Sequence, residues 1–220
     1  RLTTVFSSID LQGRYAYGNQ PSILMWNLMR LAETLIALVH VDEDRAIELL
    51  TDAAKNVATV YEGFWLAHMR AKIGLHTAED GDYDLIQNLL NIMQEGEADF
   101  TLTFRRLSNA IRGEKAAVCE QFKDPDLFNF WETEWHPRLD REKVPIEDRA
   151  AAMDKVNPIY IPRNHKVEEA LSAAVDADDL TLFEDMLSVV SAPFQEVFGR
   201  ENFIEAAPIT SVPYQTFCGT

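Results

Sequence analysis

Twelve residues near the start hold the densest set of groups able to do chemistry. They are Asp10-Leu11-Gln12-Gly13-Arg14-Tyr15-Ala16-Tyr17-Gly18-Asn19-Gln20-Pro21. A guanidinium, two phenols, an acid and three side-chain amides share these twelve residues with two glycines. Nothing in the run alternates like a strand or repeats like a helix, so it is expected to be a loop of fixed shape. Loops this rich in hydrogen-bonding groups are held by a scaffold for recognition or catalysis. The competing reading is a structural connector whose amides cap the helix starting at Pro21.

A second unusual run is Asn157-Pro158-Ile159-Tyr160-Ile161-Pro162-Arg163-Asn164-His165. Its two prolines fix an extended connector between helices, and Arg163 with Asn164 can anchor backbone carbonyls or carboxylates. A rigid linker is the plainer reading. Phe128, Phe130, Trp131 and Trp135 cluster beside Glu132 and Glu134, as an aromatic cage for a cation would. Helical spacing puts Leu127, Trp131 and Trp135 on one face, which favours a core helix.

Other chemistries lack their residues. The five histidines are spread out, with no His-Glu-x-x-His helix and no Cys-x-x-Cys. Asp80-Gly81-Asp82-Tyr83-Asp84 opens like a calcium loop, but Leu85 stands where the turn glycine belongs and Asn91 where the bidentate glutamate belongs. These acids are expected to be helix-capping charges. Gly-rich phosphate cradles and a Gly-x-Ser-x-Gly elbow are absent from the sequence, and no protein metal site is expected.

The elements that would position these groups are helical. Leu24, Leu28, Leu31, Leu35 and Leu38 form a stripe at spacings of three and four, in a helix opened by Pro21. Asp42-Glu43-Asp44 starts a second helix, lined on its inner face by Ile47, Leu50, Ala54, Val57, Tyr61 and Phe64 and ended near Gly74. Further helices are expected over 82–94, across Phe100 to Ile111, and over 114–122, 127–135, 146–156, 166–175 and 180–190. From there to the end the chain reads as an extended tail, punctuated by Pro193, Pro208 and Pro213. The expected fold class is all-α. The expected organisation is a loop over 1–20, a helical lobe over 21–190 and a tail over 191–220.

Composition bounds the partners. In 220 residues, 36 acids against 20 Lys and Arg give a net charge of −16. Such a surface repels phosphate backbones and anionic membranes, so neither nucleic acid nor membrane is an expected partner. The most apolar stretch, Ile23 to Val39, is interrupted by Asn27, Arg30 and Glu33, and no transmembrane span is expected. Two cysteines suit a reducing compartment, and the cytoplasm is the expected location. Arg1 is no initiator and no signal-peptide order follows it, so the numbering is expected to begin inside a longer protein.

Taken together, the runs resemble the selenoprotein O family, also called YdiU. The resemblance rests on Asp10-x-Gln12-Gly13-Arg14-Tyr15-x-Tyr17-x-Asn19-Gln20-Pro21 and on Trp26-Asn27-Leu28-x-Arg30-Leu31-Ala32. Met69-Arg70-Ala71-Lys72-Ile73-Gly74-Leu75, Asp99-Phe100-Thr101 with Phe104-Arg105, Asn157-Pro158-x-Tyr160-Ile161-Pro162-Arg163-Asn164 and Phe217-Cys218-Gly219-Thr220 extend it along the chain.

That resemblance implies a protein-kinase-like fold whose C-terminal lobe this chain supplies. It also implies transfer of AMP from ATP onto Ser, Thr or Tyr hydroxyls of protein substrates, with Mg2+ or Mn2+. In the family the nucleotide lysine, the catalytic acid and the metal-binding residues lie before the Gln-Gly-Arg-Tyr loop. None of those motifs occurs here, so this piece alone is expected to be inactive, to hold no cofactor and to work with its own N-terminal catalytic lobe. By kinase analogy, Arg14, Tyr15, Tyr17, Asn19 and Gln20 are candidates for the floor beneath the nucleotide or for holding the protein substrate. Asn157, Tyr160, Arg163 and Asn164 form a structural motif. Cys218 occupies the place near the C-terminus where animal members carry selenocysteine, which makes it a redox candidate. Its partner is Cys119 or a residue upstream, or it stays an unpaired surface thiol. The opposing class is a stand-alone acidic α-helical interaction module without chemistry.

Overall fold

The computed structural model describes residues 3–5, 7 and 9–207, and every regular element among them is helical. They fall into two compact units, one up to Leu66 and one from Ala67 onward.

The first unit contains a 3₁₀ turn over Tyr17–Asn19, helix α1 (Gln20–Val39) and most of helix α2 (Glu43–Lys72). Pro21 lies in the first turn of α1, where a missing N–H costs no hydrogen bond. At the start of α2 the Asp42 carboxylate accepts from Arg45 N at 3.0 Å, with Glu43 and Asp44 beside the helix dipole. The leucine stripe of α1 is in place, but no residue of α1 is buried, and Leu38 is 81% exposed. Ile47 and Phe64, expected on an inner face of α2, are exposed as well, while Ala46 and Ala54 are buried. Periodicity locates an apolar face without saying what lies against it.

Over Tyr17–Val39 the chain is long and apolar enough, by length and composition, to cross a membrane, with a mean hydropathy of 1.4. That corrects the expectation that no such stretch is present. Arg30 and Glu33, which interrupt it, pair at 2.6 Å and so bring no net charge. Core helices of water-soluble proteins pass the same test.

The second unit holds the end of α2 and seven further helices. These are α3 (Asp82–Glu95), α4 (Phe100–Ile111), α5 (Ala116–Cys119), α6 (Pro125–Asp140), α7 (Ile146–Val156), α8 (Asn164–Ala177) and α9 (Thr181–Val190). A 3₁₀ turn follows at Glu201–Phe203. Helix α4 packs on α5 and α7, α3 on α6, and α8 on α9.

Trp131 and Trp135 of α6 are buried and stacked at 5.1 Å. Their indole N–H groups donate to Leu85 O at 2.8 Å and Ile73 O at 2.9 Å, so the most polar atom of each ring is satisfied inside the core. The cation-cage alternative fails here, because Phe130 points outward at 73% exposure while Phe128 is enclosed.

Gly74 ends α2 at φ +79°, in the left-handed region that favours glycine. A Cβ there would stand 2.7 Å from Met153 Sδ and 3.3 Å from Arg149 Cγ, so α7 closes on bare backbone.

Candidate functional site

The Asp10–Asn19 loop is held by its own side chains. Asp10 accepts from the backbone N–H of Arg14 at 2.8 Å and of Tyr15 at 2.7 Å, one bond on each carboxylate oxygen. Asn19 Nδ2 donates to Gly13 O at 2.8 Å, and Tyr17 N donates to Thr4 O at 2.9 Å. Gly13 sits at φ +65°, which lets the chain turn between these anchors. Asn19 is the N-cap residue of α1, yet its side chain makes no cap bond and ties back into the loop instead. The capping alternative is therefore not how this amide is used.

These bonds fix which groups face outward. Arg14, Tyr15, Asn19 and Gln20 are exposed, and Tyr17 is half-buried. The Arg14 guanidinium lies 4.3 Å from the centre of the Trp26 ring, and Arg30 approaches the same ring at 5.5 Å. Stacking on an indole confines a guanidinium without neutralising it, so Arg14 remains a positioned cation able to meet a phosphate or carboxylate. Burial, and secondarily Tyr61, raises the Tyr17 pKa, which keeps that phenol protonated.

In the second unit, the motif segments converge on one another. Asn157 Nδ2 donates to Lys72 O at 2.8 Å, and Lys72 Nζ donates back to Asn157 Oδ1 at 3.2 Å and to Val156 O at 3.3 Å. Burial lowers the pKa of Lys72. Arg163 forks onto Asp99, at 2.8 Å to Oδ2 and 3.1 Å to Oδ1, while Asp99 also caps α4 through Leu102 N at 2.8 Å. Burial alone would raise the Asp99 pKa, but these donors outweigh it and the carboxyl titrates below its ordinary value.

Arg105 adds contacts to Asp154 O, Asn157 O and Phe194 O. The Tyr160 hydroxyl accepts from Val197 N at 2.9 Å. Asn164 is exposed at the first position of α8. The connector therefore anchors a carboxylate through Arg163, and Asn164 takes no part in that pair.

Sequence reasoning missed an ionic hub. Asp82, expected as a capping charge, is almost fully buried, and it accepts from Arg138 Nε at 2.7 Å, Arg70 Nε at 2.6 Å and Glu79 N at 2.9 Å. Glu142 accepts from His76 N, Thr77 N, Arg138 Nη1 and Arg149 Nη1, all within 3.1 Å. Burial opposes ionisation of Glu142, but the Thr77 and His76 amides, the Thr77 hydroxyl and Arg149 bring its pKa down to about 2. Only the Arg138–Glu142 spacing of four could have been read from the sequence. Asp82 and Arg138 lie 56 positions apart.

Among the described residues, no group of three or more His, Cys, Asp or Glu side chains is arranged to hold a metal ion. The described residues therefore offer no ligand set on which a metal-dependent step could be placed. Cys119 is a free, half-buried thiol whose pKa burial pushes up. Cys218 lies outside the described residues.

Comparison with known proteins identifies the family. A family model described as protein adenylyltransferase SelO matches residues 2–191. Protein nucleotidyltransferase YdiU of Rhizobium meliloti (strain 1021) is 48% identical over 219 residues, covering 99% of this chain and 45% of its own length. The proteins of the same name from Cereibacter sphaeroides (strain ATCC 17029 / ATH 2.4.9) and Agrobacterium fabrum (strain C58 / ATCC 33970) are 49% and 46% identical over 218 residues. Each is covered over 44% of its length, against 99% and 98% of this chain. This chain thus spans less than half the length of these curated relatives, and it belongs to the SelO protein adenylyltransferase family.

Proposed function

We propose that this chain is the C-terminal helical lobe of a protein adenylyltransferase that moves AMP from ATP onto Ser, Thr or Tyr hydroxyls of protein substrates in the cytoplasm. The match of the family model over residues 2–191 carries the reading. The division of labour within the parent follows from chemistry. Nucleotidyl transfer depends on charge and metal fixed around the phosphates. The sequence holds no Gly-rich cradle, and the described acids do not gather for a metal. ATP and Mg2+ or Mn2+ are therefore assigned to a preceding, kinase-like part of the parent, and the 220-residue chain alone is inactive.

Within that parent the Asp10–Asn19 loop serves as floor beneath the nucleotide or as a hold on the protein substrate. Arg14 supports this reading, as a cation confined on Trp26 and left without a carboxylate partner among the described residues. The stand-alone acidic module is favoured by one observation only, the net charge of −16.

Calorimetric titration with ATP and Mg2+ separates the two readings. The 220-residue chain is expected to give no binding heat, and a parent of the relatives' full length to bind saturably. A full-length parent that binds no ATP would leave the module reading in place.

A further inference from the structure

We propose that the outer face of α9, with the turn that leads into it, is a docking surface for a basic amphipathic helix of a protein partner. Helix α9 is two-sided. Leu182, Met186 and Val189 pack inward on the core around Ile159 and Tyr160. Leu180, Phe183 and Leu187 recur at spacings of three and four on another face, and they are 54%, 42% and 50% exposed. Three large apolar groups in one helical line are the complement of a helix that lays its own anchors at the same spacing.

Charge decides the occupant. From Asn164 to Val190 the sequence carries seven carboxylates (Glu168, Glu169, Asp176, Asp178, Asp179, Glu184, Asp185) against a single lysine, Lys166, and no arginine. Lys166 is already engaged by Glu169, and Asp185 by Arg200. Asp179 accepts from Thr181 N at the helix start. Asp178 and Glu184, beside the apolar line in sequence and on the helix, have no ion pair among the described residues.

A second copy of this chain would bring the same acidic rim and be repelled, and so would a phosphate backbone or an anionic lipid surface. A partner helix with Leu-type anchors and Lys or Arg on its flanks meets both the apolar line and the rim. The proposal goes beyond the transferase reading and stands without it.

The test is fluorescence anisotropy on the whole 220-residue chain. The probe is a fluorescein-labelled synthetic helix with Leu at i, i+3 and i+7 and Lys at its flanking positions; a scrambled peptide of the same composition is the control. Saturable binding is expected, weakening as salt rises, with the scrambled peptide at least about tenfold weaker. Phe183→Ser with Leu187→Ser keeps every charge and is expected to weaken binding at least about tenfold. Asp178→Lys with Glu184→Lys leaves the apolar line intact and is expected to do the same, with helical circular dichroism unchanged. Equal binding of the scrambled peptide, or undiminished binding by the folded lysine variant, overturns the proposal. So does self-association of the chain that Phe183→Ser abolishes. None of these readouts involves AMP transfer, so they stand apart from the test of the transferase reading.

Discussion

Asn157 and Lys72 hold one another across 85 positions of sequence, the Asn157 amide giving a hydrogen bond to the Lys72 carbonyl and receiving one from the Lys72 ammonium. The pair joins the end of α2 to the connector after α7, so two motif segments far apart in the chain are fastened by one side chain. Asn157→Ala removes both bonds and leaves a part-buried carbonyl and ammonium with fewer partners. The expected loss is about 1–3 kcal/mol, or roughly 2–4 °C of melting temperature per kcal/mol at this size. Asn157→Asp keeps an acceptor for Lys72 and is expected to lose less. Scanning calorimetry of the two variants checks the order.

Arg163→Met separates α8 from the cap of α4. It leaves the Asp99 carboxylate part-buried without its fork, and such a deletion costs about 3–5 kcal/mol for a fully buried pair. Arg163→Lys retains the charge but only one donor direction, and is expected to fall between. In the lysine variant the Asp99 carboxyl is expected to titrate closer to its ordinary value, because the arginine bonds that depress it are reduced. Carboxyl-carbon NMR against pH reads this directly.

Glu142 sets an acid limit. Its folded pKa is about 2, below the ordinary 4.5, so its contribution is present above pH 4.5 and is lost as pH falls toward 2. The depression corresponds to about 3 kcal/mol. Glu142→Gln is expected to flatten the fall in stability across that window, and urea midpoints at stepped pH values measure it. A fall as steep as in the unmodified chain would remove Glu142 as its source.

Gly74→Ala strains a left-handed residue and drives a methyl group into Met153 and Arg149. Destabilisation of more than about 1 kcal/mol is expected. Gly81 has a similar φ of +91° but open space around it. Gly81→Ala is therefore expected to cost less than Gly74→Ala in the same urea titration.

What the sequence showed depended on how local the cause was. Helix α7 was legible to the residue at both ends, because Pro145 and the Asn157-Pro158 pair bound it. The core role of Trp131 and Trp135 followed from spacing of four, since a helix turn is a local rule. The inward face assigned to Ile47 and Phe64 did not hold, because burial depends on what packs against a helix. The Asp82–Arg138 pair was illegible for the same reason, and an acid at a helix start looks identical whether it caps or binds a distant guanidinium. In the Asp10–Asn19 loop a fixed shape was legible, but the use of Asn19 was not. Its amide reaches back to Gly13, where a helix-capping residue would reach forward.

The most direct measurement is transfer of label from ATP carrying it on the α-phosphate, with Mg2+ or Mn2+, to protein. The comparison is between the 220-residue chain, a parent of the relatives' full length and that parent with Arg14→Ala. Label is expected to enter protein only with the longer parent. It is expected to fall at least about tenfold with Arg14→Ala while the melting temperature holds, as for loss of an electrostatic contact at the reacting phosphates. Label transferred by this chain alone, or by neither form, would contradict the assignment of the chain as the lobe of an adenylyltransferase. Full transfer by Arg14→Ala would remove the loop from the reaction.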